Sequence, residues 1–306
     1  MVSQRPVYLL ALLYALIIGF SFLFTKLALQ VADPVDTLAI RFTIAFFAIS
    51  VPVLAGWIKL RLSRSLWRLI PLGLLYPTAF FGFQAVGLTY TTSSEAAIFQ
   101  ATSPIFTLAL ASLLLRESTT WIQKAVVLFS VGGVIYIAVM SGASIESTNA
   151  WGMVWLLVST VALSLYSVLA RLHREGYTAF EMSYVMMLTG CFAFNTLAIV
   201  RHTLAGTMNT LLAPLEEPTF LLSILYIGLM SSMLSSVMSN YLLSRIEAYK
   251  MSLFVNLGTL LSVAAGVVFL REKLEYFHIV GAVLIIGGVL GVYSRPKKQV
   301  MEVESR

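Results

Sequence analysis

Few side chains in this sequence could do chemistry inside an apolar interior. Lys26 and Arg41 are the only basic residues read as lying inside its long apolar segments, since Arg68, Lys124 and Arg171 fall at segment ends on the cytoplasmic side. A charge at the centre of a bilayer costs about 3 kcal/mol or more, so such a residue faces a partner, a cavity or the membrane surface. Both lie toward one end of their segments, where a long side chain can reach water. For Lys26 a solute- or helix-facing role and snorkelling are equally open; for Arg41 snorkelling is the stronger expectation. Ser231, Ser232, Ser235, Ser236, Ser239 and Asn240 recur at spacings of three and four, which on a helix makes one polar stripe. Small residues and hydroxyls of this kind serve either close helix packing or the wall of a solute path. Asn240 and Asn256 favour the path, because amides are larger than packing requires.

Gln84, Gln100 and Ser103-Pro104 form a further polar group. Pro104 removes a backbone donor and exposes a carbonyl, which suits a helix lining a cavity as well as a kink without function. The aromatics Phe22, Tyr76, Phe80, Phe81 and Tyr166 would line an apolar pocket or pack in the core. The candidate solute-contacting set is therefore Phe22, Lys26, Tyr76, Gln84, Gln100, Ser103, Tyr166, Ser232, Ser236, Asn240 and Asn256.

Catalysis is not expected. A serine nucleophile needs a nearby base, yet His173, His202 and His278 all sit at segment ends. An aspartyl enzyme needs two buried carboxylates, and the only aspartates, Asp33 and Asp36, lie near the outer surface. The His-Glu-x-x-His pattern of a zincin is absent. The single cysteine, Cys191, has no partner for a disulfide or at metal spacing. No cofactor and no metal are expected. A deep carboxylate proton relay is also not expected, which leaves exchange or facilitated flow with any proton coupling at a cavity mouth.

These residues must be positioned by helices in lipid. Of 306 residues, 59% are hydrophobic and 11% charged, against about 25% charged in a soluble domain. The mean hydropathy is +0.90. A helix needs about 20 apolar residues to cross the hydrocarbon core. Ten segments qualify: 7–29, 35–57, 67–88, 96–115, 121–140, 151–171, 180–200, 220–243, 251–270 and 277–293. Their continuous apolar runs exclude the alternation of barrel strands. The first is too long for a cleaved signal peptide and reads as a retained signal anchor.

With the N-terminus inside, 15 of the 20 Lys and Arg residues fall on the cytoplasmic side, as the positive-inside bias requires. That bias also accounts for the net charge of +6, so no nucleic acid is expected; the partners are the lipid bilayer and a small-molecule solute. Both termini are expected in the cytoplasm. Sliding the chain by 155 residues lays Leu115-Arg116-Glu117 on Leu270-Arg271-Glu272, Gly132-Gly133-Val134 on Gly287-Gly288-Val289, and Phe99 on Phe254. At a slightly different offset, Lys26 corresponds to Arg171. The copies span 1–142 and 150–294, with 295–306 as a cytoplasmic tail. Each copy holds five spans, so the second enters the membrane from the opposite side. Inverted repeats of this kind recur in secondary transporters.

This pattern resembles the drug/metabolite transporter superfamily, in its ten-helix EamA-type branch. Gly19 to Lys26 is similar to that family's first-helix signature, Arg41 after Asp36 to its second-helix arginine, and the Leu-Arg-Glu endings followed by paired glycines to its repeat ending. Ile18 stands where the family usually has Trp. The resemblance implies an all-α fold of ten transmembrane helices in two inverted five-helix repeats, in a bacterial inner membrane. It implies efflux or exchange of amino acids, nucleosides or related solutes. The alternative is a non-transporting membrane receptor or assembly factor.

Overall fold

A computed structural model describes residues 4–60, 68–114, 149–172 and 177–271, with scattered positions inside 121–140 and 275–284, helical at all of them but Glu275. The fifth and tenth expected segments therefore lie mostly outside the described residues, as does Arg116-Glu117. The described chain is all helical. Its helices are α1 (Gln4–Leu29), α2 (Pro34–Leu54), α3 (Ile70–Tyr90), α4 (Ser93–Gln100), α5 (Ser103–Leu114), α6 (Asn149–Leu172), α7 (Ala179–Ala205), α8 (Pro218–Leu243) and α9 (Ala248–Leu270). Among them α1, α2, α3, α6, α7 and α8 are each long and apolar enough to cross a membrane.

The ends follow local chemistry. Asp33 caps α2 by accepting from the Val35 amide, and Pro34 occupies the first turn, where its missing N–H is not needed. Thr178 and Glu181 make a reciprocal capping box at the start of α7, and Gly206 closes that helix in the left-handed conformation.

Two expected helices are broken. The segment expected over 96–115 is interrupted at Ala101-Thr102, dividing α4 from α5. Pro104 has no N–H for the Gln100 carbonyl and its ring crowds it, so the chain restarts with Pro104 in the first turn. α3 is kinked at Tyr76, whose backbone is extended (φ −138°, ψ 113°) ahead of a cis peptide to Pro77. α8 has a π-helical stretch over Tyr226–Leu234. Non-helical or rewound backbone at membrane depth is tolerated where it is buried in protein or lines a cavity.

Close approach between helices relies on glycine. A Cβ on Gly19 would lie 2.7 Å from Leu261 Cβ, and one on Gly258 would lie 2.8 Å from Ile18 Cγ1, so α1 and α9 pack through this pair. Tyr8 packs against Phe254 at the other end of the same contact, so the two helices run in one direction. α4 starts from the end at which α1 and α9 finish, because Lys26 in the last turn of α1 donates to the carbonyls of Leu88 and Thr91 at the end of α3. α6 starts from that end too, with Gly152 against Tyr90 and Thr91. α7 is antiparallel to α2, since His202 near its end meets Asp36 in the first turn of α2.

The outside of this bundle is apolar and the inside is polar. Leu9, Phe47, Phe192 and Val268 are more than 60% exposed, whereas Arg41, Tyr166, Ser236, Asn240 and Asn256 are each 2% exposed or less. Water would reverse that distribution; lipid favours it. The chain is an integral membrane protein.

Candidate functional site

The kink in α3 aims Tyr76 into the bundle, where its ring stacks on Tyr166 of α6 (4.6 Å between centroids) and packs against Phe80 and Phe81. Phe81 in turn carries the guanidinium of Arg41, 3.9 Å above its ring, a cation–π geometry strengthened by desolvation. Arg41 donates from Nε to Ser232 Oγ (2.7 Å) and from Nη2 to Ser231 Oγ (3.1 Å). α8 comes this close because Gly228 has no side chain: a Cβ there would lie 3.0 Å from Ile44 and 3.2 Å from the Arg41 carbonyl. Arg41 does not snorkel. It is 1% exposed and is among the largest fully buried side chains.

The stripe of α8 continues past Arg41. Ser235 faces Tyr76, and Ser239 faces both Tyr14 of α1 and Tyr166. Tyr166 donates to Asn240 Oδ1 (2.9 Å), and Asn240 Nδ2 donates to Ser183 of α7 (2.9 Å). Ser236 and Asn240 both approach the Met186 thioether. The result is a buried seam of phenols, hydroxyls, one amide and one guanidinium, built from α1, α2, α3, α6, α7 and α8. Of the expected residues it joins Tyr76, Tyr166, Ser232, Ser236 and Asn240. It adds Arg41, Ser231, Ser235, Ser239, Tyr14 and Ser183. Arg41 stood out in the sequence as a charge within an apolar segment and the three serines as part of the stripe, whereas Tyr14 and Ser183 carried no signal.

A second group sits where α4, α5 and α9 pack. Gln84 donates to Gln100 Oε1 (3.2 Å), so these two amides pair across α3 and α4. Ser164 of α6 donates to the carbonyl of Ser103. The side chains of Ser103, Thr107, Asn256 and Ser262 are buried without a hydrogen-bond partner among the described residues, Asn256 at both its oxygen and its nitrogen. A buried amide left unpaired costs about 1–3 kcal/mol, which a solute or water in an opened path would relieve.

Phe22 and Lys26 make no hydrogen bond or ring contact with either group among the described contacts. Phe22 packs with Leu88, Ala96, Ala97 and Leu156. Lys26 is half-buried, with its amine on the Leu88 carbonyl (2.8 Å) and the Thr91 carbonyl. Arg171, which the sequence comparison sets against Lys26, donates likewise to the carbonyl of Ile246, just beyond the end of α8. Thr91 and Ile246 are separated by 155 residues, the same shift that lays the Leu-Arg-Glu and Gly-Gly-Val motifs of the sequence on one another.

At the α1–α2 end, the carboxylates are tied down. Asp36 lies 3.1 Å from His202 Nε2 and 3.2 Å from Arg201 Nη2, Arg201 also pairs with Asp33, and His202 Nδ1 meets Thr207. Among the described residues no group of three or more His, Cys, Asp or Glu is placed to hold a metal ion. A crevice of about 460 Å³, lined by Leu38, Leu74, Thr78, Phe83, Trp155 and Phe194 among others, opens between α2, α3, α6 and α7. The hydroxyl of Thr78 is spent on the Gly73 carbonyl, so the crevice lacks the convergent polar groups of a solute site.

Residues 5–139 and 150–294 each match the model of the EamA-like transporter family. Over 290 residues the chain is 47% identical to the "uncharacterized transporter YcxC" of Bacillus subtilis, covering 94% of this chain and 93% of that protein. Over 260 residues it is 26% identical to a "probable terminal-alkyne amino-acid exporter" of Streptantibioticus cattleyicolor, covering 83% and 82%. A solved structure, titled only as the crystal structure of a protein, superposes with a TM-score of 0.70 at 17% identity, covering 95% of this chain and 97% of that one.

Proposed function

Because this chain belongs to the EamA-like transporter family, we propose that it is a secondary transporter that exports or exchanges a small metabolite such as an amino acid or related solute. Transport proceeds by alternating access between two inverted five-helix halves, 1–142 and 150–294, making ten spans with both termini and the 295–306 tail in the cytoplasm. The observation that carries this reading is the seam itself. Tyr14, Arg41 and Tyr76 come from the first half and Tyr166, Ser183, Ser232 and Asn240 from the second, converging inside a bundle whose exterior is apolar. A path at the interface between repeats is where rocking of one half against the other exposes a site to each side in turn.

Further support comes from direction and from matched contacts. α1 finishes at the end from which α6 starts, as inversion requires of the first helix of each half. Lys26 and Arg171 each close the end of the third helix of their own half. The amino-acid exporter among the relatives supports a solute of that size. Counterflow in proteoliposomes loaded with amino acids, nucleosides or carboxylates tests the proposal. At least one class is expected to drive uptake of its labelled form; correctly inserted protein that moves none of them would refute transport.

A further inference from the structure

Arg41 carries a full positive charge that the described protein does not neutralise. Its guanidinium has five N–H donors, of which Nε and Nη2 each meet a serine hydroxyl and Nη1 meets no partner among the described residues. Those hydroxyls are neutral, and Ser232 donates its own O–H to the Ile227 carbonyl. Asp33 and Asp36, the aspartates nearest in sequence, are committed to Arg201 and His202. Among the described residues no carboxylate lies within ion-pair distance of Arg41, although it is 1% exposed. Buried charges are stabilised by pairing, and an uncompensated one is strongly unfavourable. A guanidinium is also the side chain suited to a planar two-oxygen acceptor, which it grips with two parallel hydrogen bonds.

We propose that Arg41 is the anchor for a carboxylate of the transported solute, and that the preferred solute is a monoanion with an apolar or aromatic body. The inference rests on the transporter reading of the same seam and narrows its substrate class. Phe81 lies directly beneath the guanidinium, Tyr76 packs on Phe81 and Tyr166 stacks on Tyr76, so a run of aromatic rings leads away from Arg41 and supplies the surface for such a body. An ammonium group fares worse in this seam. It would share the space with an unpaired guanidinium, and its acceptors would be serine hydroxyls and an Asn240 oxygen already accepting from Tyr166. A bare carboxylate is therefore preferred over a zwitterion, and a zwitterion over an amine.

The test uses four probes that share one phenylpropyl body: 3-phenylpropionate, phenylalanine, 3-phenylpropanamide and 3-phenylpropylamine. Binding is measured by thermal shift and titration on the purified wild-type protein and on Arg41→Gln and Arg41→Lys. 3-Phenylpropionate is expected to bind at least tenfold more tightly than the amide, with phenylalanine between them and the amine weakest. Arg41→Gln should lose at least tenfold in affinity for the acid and leave the amide unchanged, and Arg41→Lys should recover part of the loss. The anchor is wrong if the acid binds no better than the amide, if phenylalanine or the amine binds more tightly than the acid, or if Arg41→Gln keeps the acid's affinity. Should Arg41→Gln not fold, the comparison of acid with amide on the wild type decides alone. Counterflow of the same probes separates this claim from the reading beneath it. Arg41-dependent binding without movement of any probe keeps the anchor and removes transport. Equal movement of acid, amide and amine by wild type and variant keeps transport and removes the anchor.

Discussion

At the scale of single residues, buried polar side chains divide into those that are satisfied and those that are not, and the two kinds predict opposite responses to substitution. Asn240 holds Tyr166 through its oxygen and Ser183 through its nitrogen. Asn240→Ala strands a buried phenol and a buried hydroxyl, each worth about 1–3 kcal/mol. A clear fall in the thermal midpoint of the detergent-solubilised protein and at least a tenfold fall in counterflow rate are expected. Asn256 has no hydrogen-bond partner among the described residues. Asn256→Leu removes an unpaired amide at similar volume and should raise the midpoint, by about 1 kcal/mol of stability, while slowing flux. A stabilised variant with undiminished flux would take Asn256 out of the path. The α8 stripe was legible because hydroxyls at helical spacing stand out in an apolar run. The burial of Arg41 was not. Whether a long basic side chain snorkels or turns inward depends on the neighbour it meets, here α8 brought close by Gly228, and no local pattern in α2 encodes that meeting.

At the scale of helices, Lys26 and Arg171 act as fasteners between elements. Each places a charged donor on carbonyls that the helix end leaves without an internal partner. Hydrogen bonds to charged groups contribute about 1.5–3 kcal/mol, so Lys26→Met and Arg171→Met should each lower the thermal midpoint. Amide exchange should rise locally, around 88–91 in the first variant and around 243–246 in the second. Faster exchange spread evenly over the molecule would argue against local fastening. Most helix positions could be read from apolar runs, Asp33-Pro34 and Pro218. The break between α4 and α5 was half legible: Pro104 marked it, but a single proline leaves open whether a helix bends or divides. The kink at Tyr76 was not legible, because Pro77 lies within an apolar run that reads as continuous helix. Its consequence, a phenol stacked on Tyr166, depends on a helix distant in sequence.

At the scale of the whole molecule, the account depends on two families of helices running in opposite senses around the seam. Composition placed the protein in lipid, and the apolar exterior with its polar interior agrees. Trp121 and Tyr276 are 155 residues apart, correspond in the two halves, and are 84% and 60% exposed. In an inverted pair they must lie on opposite sides of the membrane. Trp121→Cys and Tyr276→Cys, each made with Cys191 replaced by Ser, can be treated with a membrane-impermeant maleimide on intact cells and again after permeabilisation. Labelling of Tyr276→Cys from outside, with Trp121→Cys reactive only once the membrane is opened, is the predicted result; labelling of both from the same side would contradict the inverted architecture and the alternating access built on it.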